Sequence, residues 1–171
     1  MVDVDKCSMT CFPAGVLDKK AKPVEEITDD IRRLVDRMFD IMVNNKGIGL
    51  AGPQAGVNLR IFIISLDGTK ESMKVFINPE IEPSGQVVGE EEGCLSLPGI
   101  CAKVKRHSKC KVTATGLDGN EFTDDAEGLY ARALQHEYDH LEGTLIKDRF
   151  SRLQMLGARK HLAKLLNEHK K

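Results

Sequence analysis

Hydrophobic positions along the chain recur with two periods. Ile31, Leu34, Val35, Met38, Ile41 and Met42 follow the i, i+3, i+4, i+7 spacing of a helix with one buried face. Thr28 is a suitable N-cap, and Asp29 and Asp30 put negative charge in the first turn, where the helix dipole favours it. Asn44-Asn45-Lys46-Gly47 closes this helix, with Gly47 the expected C-cap. Its methionines read as core filler. A second helical stripe runs through Leu129, Ala133, His136 and His140; Asp124 and Asp125 are placed to cap it and Gly143 to stop it. A last helix has Met155, Ala158, Leu162, Leu165 and Leu166 as its apolar face and a basic side from Arg159, Lys160, Lys164, Lys170 and Lys171. Strands show the other period. Leu59–Ser65 is apolar and β-branched, Val75–Asn78 is a strand stopped by Pro79, and Lys109–Leu117 alternates, with Cys110, Val112 and Ala114 on one side. Pro83-Ser84-Gly85 reads as a turn, and Asp118-Gly119 as a hairpin turn with Glu121-Phe122-Thr123 returning.

The expected fold class is α+β: antiparallel or mixed strands packed around a central helix, with one helix N-terminal and one C-terminal. Residues 1–150 form the expected catalytic domain, with 1–10 loosely held, and residues 151–171 the C-terminal helix.

Composition narrows the possibilities. The chain has 171 residues, enough for one domain, and is 41% hydrophobic and 30% charged with a net charge of −1. Nothing in that balance points to nucleic acid or an anionic membrane. Aromatics are 5% and Trp is absent, so stacking platforms for single strands are not expected. The five cysteines lack a regular framework, no signal segment is visible and no stretch is long enough to span a membrane. The expected setting is cytoplasmic and reducing, where a free thiolate can bind metal. Cys7 and Cys11, with no second pair after them, read as ordinary thiols.

The chemistry centres on His136-Glu137-Tyr138-Asp139-His140, an H-E-x-x-H pattern. Two histidines four apart on a helix can face one ion, and the glutamate between them can reach a water beside it. Two surface histidines would be the plainer reading. However, these two continue an apolar stripe and so face inward, where unpartnered imidazoles are costly. A catalytic site needs a third ligand. His107, His161 and His169 lie in basic surroundings, Glu142 is too close, and Cys94 in Glu92-Gly93-Cys94-Leu95-Ser96 is the better candidate. Gly47-Ile48-Gly49-Leu50-Ala51-Gly52-Pro53-Gln54 lacks phosphate-loop spacing, which leaves a ligand-facing loop or a structural turn.

Three stretches taken together resemble the peptide deformylase family, in its bacterial form with a C-terminal helix. They are GxGxAxxQ at Gly47–Gln54, EGCLS at Glu92–Ser96 and QHExDHL at Gln135–Leu141, in that order, with Ala21-Lys22-Pro23-Val24 also similar. The resemblance implies one divalent ion held by Cys94, His136 and His140, with water in its fourth position. Iron(II) is the family's usual metal, and zinc, nickel or cobalt can replace it. It implies removal of the formyl group from the N-terminal formylmethionine of new peptides. Glu137 would take the water's proton and return it to the leaving amine, while Gln54 and the Leu95 backbone N–H stabilise the oxyanion. The peptide would add as a strand along Ile48, Gly49 and Gly93, and the methionine side chain would enter a pocket of Ile48, Leu129, Ala133 and the His136 ring, edged by Arg132. A ribosome contact through the C-terminal helix is also implied, with no membrane and no sequence-specific nucleic acid partner. Arg106 is the expected partner of Asp139. One departure is Gly52, where the family usually has Ala; a more flexible loop is expected there. The alternatives are a zinc endopeptidase, which needs a downstream His or Glu ligand, and a non-catalytic metal-binding or ribosome-associated module.

Overall fold

Thr28 accepts a hydrogen bond from the Ile31 N–H and opens helix α1 (Asp29–Asn44). The six positions predicted to face inward on α1 are all buried. The structure, a computed structural model, describes residues 3–169; the predicted basic residues Lys170 and Lys171 lie outside it. The C-cap differs from expectation. It is Asn45, and the left-handed residue after it is Lys46, at φ 58°, and not Gly47.

Five antiparallel strands follow in a sheet whose order is the chain order: β1 (Gly49–Ala51), β2 (Ile61–Ile64), β3 (Lys74–Gly93), β4 (Cys101–Thr115) and β5 (Glu121–Glu127). The continuous apolar run of β2 is explained by burial on both faces. Ile61 and Ile63 pack with α1, while Phe62 and Ile64 pack with helix α2 (Gly128–Leu141). The sheet thus lies between the two helices, and the HExxH helix is central, as expected.

Pro79 does not stop β3. It falls where the β3–β4 register shifts between Ile77 and Glu80, so the ladder tolerates a residue with no N–H. Asn78 beside it is left-handed, and its side chain is fixed by hydrogen bonds of 2.9 and 2.8 Å with the Val24 backbone. Pro83-Ser84-Gly85, expected as a turn, is a second irregularity between Ser84 and Val87 within the same long strand. Asp118-Gly119 does turn β4 into β5. However, β5 continues to Glu127, so Asp124 and Asp125 are strand residues and do not cap α2. Asp124 instead accepts from Tyr130 and Lys74, each at 2.6 Å. Glu127 is the N-cap of α2 and makes no side-chain bond there. Gly143, at φ 71°, follows the end of α2 as predicted.

Two terminal expectations also change. Within the segment expected to be loose, Val4 and Cys7 are buried in the α1 core. Helix α3 (Arg152–Glu168) buries only Leu165 of its predicted apolar face, with Leu162 and Ala158 half-buried and Met155 and Leu166 exposed. Leu165 joins a third cluster with Leu17, Cys94, Leu97, Ile100, Val104, Leu145 and Ile146, beneath the EGCLS loop.

Candidate metal centre and cleft

Helix α2 turns His136 and His140 toward the loop that follows β3. Cys94 begins that loop, and its Sγ lies 3.3 Å from His140 Nε2. One ligand atom from each of Cys94, His136 and His140 falls within 4.8 Å of the other two; among the described residues this is the one such group of three or more. Donors around one tetrahedral ion stand about 3.3–3.7 Å apart, which the Cys94–His140 separation of 3.3 Å matches. His107 and His161 are elsewhere, hydrogen-bonding the Gly85 and Pro98 carbonyls.

His136 Nδ1 is 3.1 Å from Glu92 Oε2, which leaves Nε2 for the cluster. A carboxylate behind a ligating imidazole sets its orientation and raises its basicity. Glu92 is itself saturated. It accepts from Arg106 Nε at 2.6 Å and Nη2 at 2.9 Å, and from Arg132 Nη1 at 2.6 Å. Burial opposes the Glu92 charge, but the His136 and Arg106 hydrogen bonds prevail and hold its carboxyl at about 2. Arg106 continues to Asp139 at 2.9 Å, the expected pair, and Arg149 closes the chain on the same carboxylate. Sequence reasoning missed Glu92 and Arg149. Glu92 sits at the end of an acidic run and resembles surface charge. The usable signal was its place in a strand two residues before Cys94, since i and i+2 share a face.

Glu137 is 4% exposed, and its Oε2 has no hydrogen-bond partner among the described residues. Burial pushes its carboxyl up to about 7, against the opposing charges of His136 and Arg106. His140 is driven well below its ordinary range by burial and by the His136 and Arg106 charges, which favours the neutral imidazole, the form able to bind a metal. Burial would lower His136 too, but hydrogen bonds to Cys94 and Glu92 outweigh it. His140 Nδ1 is also buried without a hydrogen-bond partner among the described residues.

Gln54 comes from the other side. It sits in the 3-10 turn Gly52–Ala55 directly after β1, where its Oε1 accepts the Ala51 N–H at 2.8 Å. That bond fixes the amide's orientation and leaves Nε2 3.7 Å from Cys94 Sγ. Leu95 lies in a turn closed by Leu97 N–H on the Cys94 carbonyl at 2.9 Å. Gly52 does not loosen this region. A Cβ there would lie 2.6 Å from the Leu59 carbonyl oxygen, so the backbone is packed tightly where greater flexibility was expected.

One cavity of about 540 Å³ joins these groups. Glu137, Gln54, Leu95, Cys94, His136, Ile48, Gly49, Gly93, Leu129, Arg132 and Ala133 all border it, while His140 lies just behind. Leu129 is 57% exposed at its mouth. The Arg132 guanidinium is engaged by Glu90, Glu92 and the Val88 and Val104 carbonyls. Two helical imidazoles, a loop thiol, a buried carboxylate beside them and an oriented amide form the donor set of a metal-dependent hydrolase.

Comparison with known proteins narrows that class. Residues 7–155 match the polypeptide deformylase family. The chain is 53% identical over 135 residues to peptide deformylase 1 of Clostridium perfringens, covering 78% of this chain and 90% of that one. It is 45% identical over 154 residues to the Pseudomonas aeruginosa peptide deformylase, covering 90% and 92%. The crystal structure of a peptide deformylase from Legionella pneumophila superposes with a TM-score of 0.89 at 40% identity, over 96% of this chain and 98% of that one. The chain belongs to the polypeptide deformylase family. It is a metal-dependent hydrolase of the formyl amide on N-formylmethionine peptides. No helix among the described residues is long and apolar enough to cross a membrane.

Proposed function

We propose that deformylation is carried out by the residues grouped in this cleft, with Cys94, His136 and His140 holding the metal. The observation that carries the assignment is the unpartnered, buried Glu137 oxygen beside those three donors. When bound, the ion acidifies a water and offsets negative charge. Glu137 takes a proton from the attacking water and delivers it to the leaving amine; a carboxyl near 7 is suited to both transfers. The Gln54 amide and the Leu95 N–H stabilise the oxyanion. Losing one such donor costs about 2.7–4 kcal/mol of barrier.

The peptide lies along β1, which is an edge of the sheet with β2 on one side only. Main-chain pairing with Ile48, Gly49 and Gly93 accepts many sequences, as a nascent-chain enzyme requires. The methionine side chain occupies the space between Ile48, Leu129, Ala133 and the His136 ring, with Arg132 at its edge.

The native metal in this reading is iron(II), although a thiolate and two imidazoles also suit zinc, nickel or cobalt. Five unpaired cysteines support a reducing, cytoplasmic setting. Residues 1–150 form the catalytic domain, and the segment 151–171 docks on the ribosome through helix α3. Exposed Arg152, Arg159, Lys160 and Lys164 support that docking. The test is metal analysis of anaerobically purified protein alongside Cys94→Ala. One ion per chain in the wild type and markedly weaker binding in the variant are expected; equal affinity in both would remove Cys94 from the ligand set.

A further inference from the structure

Gln54 and Leu95 sit on unrelated elements, yet one short N-terminal segment is tied to both. The Thr10 N–H donates to the Gln54 carbonyl at 2.8 Å. The Thr10 carbonyl accepts from Ser96 Oγ at 2.8 Å. The Phe12 N–H donates to the Ser96 carbonyl at 2.9 Å, and Cys11 Sγ lies 3.8 Å from the Leu95 carbonyl. Ser96 is fully buried, so its hydroxyl needs this partner, and no solvent competes for it. The chain from Gln54 through Thr10 to Ser96 therefore runs behind the cleft as a continuous tie.

We propose that Ser96 is a positioning residue: with Thr10 it fixes the separation of the two oxyanion donors, the Gln54 amide and the Leu95 N–H. This rests on the assignment of those two groups as donors in deformylation. The physical reason is preorganisation. Donors stabilise a developing oxyanion only if they already stand where it forms, and a misplacement of about 1 Å can cost 100-fold in rate. The Leu95 N–H is carried by the turn from Cys94 to Leu97, and the hydrogen bond from the Gln54 side chain to that turn is the long one to Cys94 Sγ. Leu95 also packs against the α1 core cluster that holds Ala55, and the tie adds the main-chain link between the two segments.

The test is a double-mutant cycle on the metal-loaded full chain, with formate release from formyl-Met-Ala-Ser, metal content and thermal stability measured together. Ser96→Ala is expected to lower kcat by about 10- to 100-fold with KM within about twofold and metal content unchanged. In a Gln54→Ala background the same replacement is expected to cost less than about threefold, because the pair to be aligned is already broken. A merely structural serine gives the same fold-loss in both backgrounds, or loses stability with kcat intact; either result overturns the proposal. If Ser96→Ala does not fold, Ser96→Cys, which keeps the volume and weakens donation, carries the same cycle. An active wild type with additive losses overturns the tie alone. A metal-loaded wild type that releases no formate overturns the deformylase reading and the tie with it.

Discussion

Gly49 leaves room for the Glu137 carboxylate. A Cβ at that position would lie 2.5 Å from Glu137 Oε1, closer than packed atoms approach. Gly49→Ala is expected to displace the carboxylate and lower kcat by about 10-fold or more. Steady-state kinetics with metal content held equal would check this, and an unchanged kcat would show that Glu137 tolerates movement. Gly52 is a related case, because the family usually carries Ala there and this chain has a Leu59 carbonyl in the space. Gly52→Ala is expected to cost about 1–3 kcal/mol through overpacking. Thermal melts should show it as a lower midpoint, whereas a neutral or raised Tm would mean the Leu59 backbone gives way. Such close approaches were not legible in the sequence, where the glycines showed only that the stretch was unusual. The donor group was more legible, since HExxH asks for a third donor, Cys94 was the candidate, and the structure brings Cys94, His136 and His140 together.

At the scale of elements, one buried chain of charges holds the centre together. Arg106 on β4 joins Glu92 on β3 to Asp139 on α2, and its side chain is 2% exposed. Arg106→Ala leaves two buried carboxylates short of a partner and is expected to destabilise the fold by about 3–5 kcal/mol. Urea unfolding would measure it, and a loss below about 1 kcal/mol would show that Arg132 and Arg149 compensate. The elements themselves were legible to different degrees. Helix α1 was read residue by residue, because a one-sided helix records its buried face in its spacing. Strand β3 was not, because bulges at Pro79 and Gly85 let it pass two residues that normally end strands. The start of α2 was misplaced because Asp124, a good cap by type, is held by Lys74 and Tyr130 in β5. For α3 the apolar positions were real, but only Leu165 meets the core.

At the scale of the whole molecule the sheet lies between α1 and α2, with α3 after them, and the thiol of Cys110 is buried on the α2 side of the sheet. Burial, with a contribution from Asp124, pushes that thiol from 9.0 up to about 11. A raised folded value means that stability is fully present below about pH 9 and is lost as pH climbs toward 11. That difference corresponds to about 3 kcal/mol at most. Cys110→Ala should flatten that alkaline loss without removing it, since Tyr130 is also raised by burial and Asp124. Denaturant midpoints from pH 8 to 11 would show it, and parallel curves for both proteins would mean that Cys110 ionises freely in the fold.

The central claim is that Cys94, His136 and His140 hold the ion while Glu137 moves protons. Glu137→Ala separates those tasks most directly. Metal stoichiometry and formate release from formyl-Met-Ala-Ser are measured on the same anaerobic preparation. The account predicts one ion per chain in both proteins and a turnover reduced by about 100- to 10,000-fold in the variant. Loss of the ion from Glu137→Ala, or turnover at the wild-type rate, would contradict it.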